Sequence, residues 1–143
     1  MKRFHILLLL CTLSAVTYAQ KKLANIEFKT TEIDYGSIAK GSNGIRTFEF
    51  TNTGDAPLVI TKVYSSCGCT IPKKPEKPIA PGKTGIIEVK YNTNRVGPIK
   101  KTITVYSNAH NKPTAALRIS GTVENHEEQS VLMKKTSVMD RKN

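Results

Sequence analysis

Three observations predict an all-β fold. Short runs rich in β-branched and aromatic residues recur every eight to fifteen positions, turn residues separate them, and no stretch between residues 20 and 123 sustains a helical period. The first runs are Ala24–Phe28 and Glu32–Ile38, each mixing aromatic and β-branched residues. In Ile45–Asn52, Phe48 and Phe50 share one face and Glu49 takes the other. Leu58–Tyr64 puts Val59 and Val63 on a common inward face. Gly85–Tyr91 sets Ile87, Val89 and Tyr91 against Glu88 and Lys90. Lys100–Ser107 turns Ile103 and Val105 inward and Thr102 and Thr104 outward. Ala116–Val123 closes the series with Leu117, Ile119, Gly121 and Val123 on the dry side and Arg118 on the wet one. Strands with one dry and one wet face suit antiparallel sheets packed face to face, and seven of them suit a seven-stranded antiparallel immunoglobulin-like sandwich.

The connections carry turn chemistry: Asn52–Pro57, Pro81-Gly82-Lys83, Asn92–Pro98 and Ser107–Pro113. Asn52–Pro57 is read as a tight connection that lays the strands ending at Phe50 and starting at Leu58 side by side. Pro75, Pro78 and Pro81 stiffen the loop that follows Cys67-Gly68-Cys69, so Ser65–Pro72 is expected to be framed by a semi-rigid segment.

The ends and the composition bound the setting. Met1-Lys2-Arg3 followed by the apolar run Ile6–Leu13 and by Thr17-Tyr18-Ala19 reads as a secretory signal peptide cleaved between Ala19 and Gln20. Leu10 departs from the small residue a lipobox needs before a cysteine, so Cys11 is read as part of the leader. No transmembrane helix is expected in the mature chain, which places it in the periplasm or outside the cell. The chain divides into leader 1–19, a short segment 20–24, a sandwich domain over 25–124 and a polar tail 125–143 with the small apolar cluster Val131-Leu132-Met133. Loss of Lys2 and Arg3 lowers the formal net charge from +11 to +9. The lysines are dispersed in pairs such as Lys21-Lys22, Lys73-Lys74 and Lys100-Lys101, with no interleaved aromatics, a pattern that argues against nucleic acid. Anionic envelope polymers, lipid head groups or a protein are the expected partners.

Hydrolytic catalysis needs a nucleophile with a base, paired carboxylates or a metal. The mature histidines are His110, in a predicted turn, and His126, in the tail, and the domain's aspartates are Asp34 and Asp55. Nothing marks them as a triad, and neither a phosphate-binding glycine loop nor a His-Glu-x-x-His motif occurs. No catalytic residues, cofactor or metal are assigned. The one ambiguous motif is Cys67-Gly68-Cys69, for which four readings stay open. The cysteines can bond to each other in an eleven-atom ring, given a tight turn that Gly68 makes accessible; alpha carbons two apart in an extended strand approach the ~6.8 Å limit for a bridge. They can hold Cu(I) with two thiolates, although no histidine or methionine supports them. They can pair with another chain, or serve as ordinary residues at a strand end. An exposed bridge of this kind would be readily reduced. A mature chain of 124 residues does not need it as a staple.

An ordered series of motifs completes the reading: Phe48–Gly54 followed by Pro57–Ile60, then Ser66–Thr70, Pro78–Gly82, Ile87–Tyr91, Gly97-Pro98, Val105–Asn108 and Ile119–Val123. The series resembles the bacterial Domain of Unknown Function 1573 family over about residues 25–124. The resemblance implies an immunoglobulin-like sandwich related in shape to PapD-type, major-sperm-protein and cilium-associated domains, and it implies no activity. The expected function is a secreted, non-enzymatic module for protein or cell-envelope contacts, using a rim loop or strand addition at a sheet edge. The alternative is a thiol redox or Cu(I)-handling protein acting through Cys67 and Cys69.

Overall fold

The structure is a computed structural model that describes residues 21–125. The leader with its Ala19–Gln20 junction and the tail beyond Asn125, His126 included, lie outside the described residues. The chain forms β1 (Ile26–Phe28), β2 (Glu32–Ala39), β3 (Ile45–Asn52), β4 (Ile60–Ser65), β5 (Thr70–Lys73), β6 (Thr84–Tyr91), β7 (Gly97–Ser107) and β8 (Thr114–Glu124). They make two four-stranded sheets, β1-β3-β6-β5 and β2-β8-β7-β4.

The all-β sandwich stands, with corrections in strand number, direction and register. Eight strands are present rather than seven. The extra one, β5, is hidden in sequence because Pro72 interrupts it and only Thr70 of its four residues is buried. The sheets are not wholly antiparallel, since β2 runs parallel to β8, from Glu32 opposite Arg118 to Ala39 opposite Glu124. These two strands are far apart in sequence, so no hairpin dictates their direction. β3 and β4 are not side by side; they lie in different sheets, and Asn52–Pro57 belongs to a crossing between them. Val59 is 37% exposed, not inward, while Leu58 and Ile60 are buried. A register shift between Ile60 and Lys62 inserts one extra residue there, so the inward phase moves from Leu58 and Ile60 to Val63.

The core lies between the sheets and is built from the alternation seen in sequence: Phe48 and Phe50 from β3, Ile87 and Val89 from β6, Ile103 and Val105 from β7, Leu117, Ile119 and Val123 from β8. Each such side chain contributes about 1.5–3 kcal/mol by leaving water.

Both edges of the β1-β3-β6-β5 sheet are blunted. At β1, Asn111 acts as a substitute strand: its Oδ1 accepts from Ile26 N–H and its Nδ2 donates to Ile26 O, both at 2.9 Å. At β5, the bond from Asn92 N–H to Cys69 O fixes the ladder phase, so Ile71 and Lys73 point toward β6 while Thr70 and Pro72 face away. Thr70 N–H is already bound to Cys67 O at 3.3 Å, and Pro72 has no N–H. Over β5, the outward edge therefore offers no free donor to an incoming strand.

Candidate functional site: a three-loop cleft beside the Cys67–Cys69 bridge

Three connections meet at one end of the sandwich, and all three cross from one sheet to the other: Lys40–Gly44, Ser66–Cys69 and Asn92–Val96. Crossing ~10 Å between sheets in four or five residues leaves little slack, and the loops bind one another. Gly41 N–H donates to Thr93 O (3.2 Å), Thr93 Oγ1 donates to Ser42 O (2.7 Å), Asn92 N–H donates to Cys69 O (2.8 Å) and Tyr91 N–H donates to Gly44 O (2.9 Å). Gly44 O also accepts from the Tyr35 hydroxyl at 2.8 Å. Burial raises the pKa of that phenol above its usual value, an effect partly opposed by the Arg46 guanidinium 4.3 Å above its ring, so Tyr35 stays protonated as a donor.

Between these loops and the outer sheet face lies an open cleft of about 680 Å³. Its floor is one row across three strands: Ile45 of β3 pairs with Lys90 of β6, which pairs with Ile71 of β5. Directly paired residues share a face, so Lys90 stands between two isoleucines, with strands ~4.8 Å apart. Ile71 is 63% exposed and Ile45 37%. The walls add Ser42, Asn43, Thr93 and Asn94, and Lys90 is the sole charged residue of the lining. Among the described residues Lys90 forms no ion pair; the two that occur are Lys29–Glu49 and Arg118–Glu32. Glu88, two residues along β6, belongs to the next row, opposite Lys73.

Gly68 and Cys69 form one rim of this cleft. The structure joins Cys67 to Cys69, with alpha carbons 5.3 Å apart. Cys69 is 6% exposed and Cys67 is partly buried against the core, so Cys67 is the more exposed residue of the pair. The buried Thr70 hydroxyl lies 3.8 Å from each sulfur. Two expectations about this turn change. Gly68 does not use a left-handed backbone, and a Cβ there would meet nothing within 4 Å, so the turn does not demand glycine. Pro75, Pro78 and Pro81 do not frame the cysteines either, because β5 carries the chain to the opposite end before they occur.

His110 and Asp55 both border the segment Leu23–Ala24 at that opposite end, through backbone bonds to Ala24 O and Leu23 O, and their side chains share no hydrogen bond. Asp34 sits on β2, where its Oδ1 accepts from Gly36 N–H. The structure does not bring these three together. Sequence reasoning treated Lys90 as an ordinary wet-face residue and left Ile45 and Ile71 without a role. A signal was available: with Phe48 and Phe50 inward, the parity of β3 turns Ile45 outward, an apolar residue on a wet face.

Two four-stranded sheets facing each other make an immunoglobulin-type β-sandwich, a fold similar to that of solved PapD-like domains. Within that class the chain belongs to the family described as "Protein of unknown function (DUF1573)", whose profile matches residues 26–123. Among curated proteins none matches. A protein of unknown function from Porphyromonas gingivalis W83 is similar at a TM-score of 0.63 and 16% identity, covering 76% of this chain and 51% of the other, so the chain spans about half that protein's length. The human CEP192 ASH / PapD-like domain is similar at 0.55 and 12%, covering 79% of this chain and 96% of the domain. The CupB2 chaperone of Pseudomonas aeruginosa is similar at 0.50 and 8%, covering 68% and 55%. At these identities the likeness concerns the fold. No helix among the described residues is long and apolar enough to cross a membrane.

Proposed function

We propose that this chain is a secreted, non-enzymatic module that makes protein contacts in the periplasm or outside the cell through the cleft end of the β1-β3-β6-β5 sheet. The observation that carries the reading is the row Ile45–Lys90–Ile71, in which two apolar side chains stand exposed around a cation that forms no ion pair among the described residues, inside a concave site. Exposed apolar groups gathered in a concavity mark binding sites, whereas singly scattered ones do not. The signal-peptide pattern at the start of the sequence supports the location. A photo-cross-linking residue at Ile71 is expected to give discrete adducts in intact envelopes, while the same group at Thr102, on the outer face of the other sheet, gives none. Equal labelling at both positions, or none at Ile71, would sink this reading.

One observation supports a second reading, thiol–disulfide exchange: the Cys67–Cys69 bridge sits at the cleft rim with Cys67 more accessible than Cys69. A thiolate of an incoming dithiol attacks Cys67 Sγ, the sulfur–sulfur bond breaks and Cys69 leaves as thiolate. The second thiol of the dithiol then attacks the mixed disulfide and frees Cys67, so two electrons pass from dithiol to bridge. The reduced pair is also the form that could hold Cu(I). The native chain is expected to take up no iodoacetamide, and to take up two equivalents after mild dithiol treatment, as read by intact mass. Alkylation that requires denaturant as well would leave the bridge a purely structural element.

A further inference from the structure

We infer that the three-loop cleft binds an extended acidic peptide, which sets one carboxylate on Lys90 and apolar side chains to either side on Ile45 and Ile71. The inference rests on the contact-surface reading above and names the chemistry of its partner. Three observations converge. First, the cleft's volume of about 680 Å³ lies within the range of ligand sites, and its floor spans three adjacent strands. Second, its lining contains one charge, and that charge is positive; the remaining polar groups, such as Asn43 and Asn94, suit peptide N–H and C=O groups. A carboxylate placed over Lys90 is complementary in charge, and its two apolar neighbours offer contact to apolar side chains on either side of it.

Third, the walls are held by loop-to-loop bonds and so lose little freedom when a ligand enters. The alternative mode, strand addition at the neighbouring β5 edge, lacks donors: Thr70 N–H is taken by Cys67 O and Pro72 has none. Recognition must therefore come from side chains on the face, and the face selects for charge and apolar pattern.

The test uses the secreted chain, labelled for NMR, and two blocked pentapeptides, Leu-Ser-Glu-Ser-Leu and its glutamine counterpart. The glutamate peptide is expected to shift the amides of Ile45, Ile71, Lys90 and Asn92, and to bind about five-fold more tightly than the glutamine peptide, the advantage of a solvent-accessible ion pair. Lys90→Gln should erase that difference and leave the spectrum of the free protein otherwise intact. Equal affinity for both peptides, shifts confined to another surface, or binding to phosphatidylglycerol vesicles that Lys90→Gln weakens while neither peptide binds, would each overturn the inference. If cross-linking at Ile71 succeeds while the glutamate peptide fails to bind, the contact surface stands and its acidic-peptide specificity falls.

Discussion

Replacing Asn52 with leucine is expected to remove about 3–4 kcal/mol of stability, among the largest losses any single side chain of this domain can cause. Asn52 is 0% exposed at the end of β3 and spends its whole amide on backbone. Its Nδ2 donates to Ala56 O at 2.8 Å and to Ile79 O at 2.9 Å, and its Oδ1 accepts from Gly54 N–H at 3.0 Å. One side chain thus fixes the crossing from β3 to β4 and ties it to the long loop before β6. Leucine keeps the branched outline but is bulkier, and it strands the Ala56 carbonyl and the Gly54 N–H, each worth about 1–3 kcal/mol when buried unsatisfied, while Ile79 O keeps the Leu58 N–H as a donor. Aspartate should be worse than leucine: it keeps the acceptor for Gly54 but turns a carboxylate toward two carbonyl oxygens. For a domain of this size a loss of 3 kcal/mol lowers Tm by roughly 12–20 °C. Urea titration of the wild type and both variants measures it, and a loss under about 1 kcal/mol for leucine would show that the loops hold without the amide.

Gly44→Ala is expected to cost about 2–4 kcal/mol and to weaken the cleft, whereas Gly68→Ala should change stability by less than about 0.5 kcal/mol. A Cβ on Gly44 would press into Tyr91 O and sit 2.9 Å from Thr93 Cγ2, both parts of the same interlocked wall. Backbone cannot yield as a flexible side chain does, so relief must come by moving Gly44 O away from Tyr91 N–H and from the Tyr35 hydroxyl. The variant should therefore lose the cross-link at Ile71 as well as stability. Gly68 serves as the control because a Cβ there meets open space. Equal melting of the two alanine variants would contradict the packing argument. The Tyr35 hydroxyl adds a pH signature. Its pKa is raised in the folded state, so above the ordinary phenol value near 10 the unfolded chain releases this proton first and stability declines with further rise in pH.

Much of the fold was legible before the structure, and what was not has identifiable causes. Period-two alternation located β3, β6, β7 and β8 and named their inward residues, because each packs one full face against the core. β5 escaped because Ile71, its most apolar residue, points to solvent and Pro72 breaks its pattern. Pairing partners escaped because alternation reports faces and carries no information on neighbours, which is how a parallel β2–β8 contact stayed hidden. The extra residue between Ile60 and Lys62 shifted the parity that had assigned Val59 to the core. The candidate site was half legible. Cys67-Gly68-Cys69 stood out as a motif, but the cleft beside it is assembled from Ser42, Lys90 and Thr93, residues unremarkable singly and joined only when three loops cross at one end.

The side-chain amide of Asn111, laid along β1 where another strand could otherwise pair, bears on how the protein behaves in a crowd. With Pro72 at the opposite margin, it makes this half of the sandwich a tile rather than a thread. Copies packed at high concentration have few places to zip together along this sheet, and a visitor to it is met on the flat of the tile, where specificity can be written in side chains. Filling the seat of Asn111 with valine would reopen a seam that the native chain keeps shut.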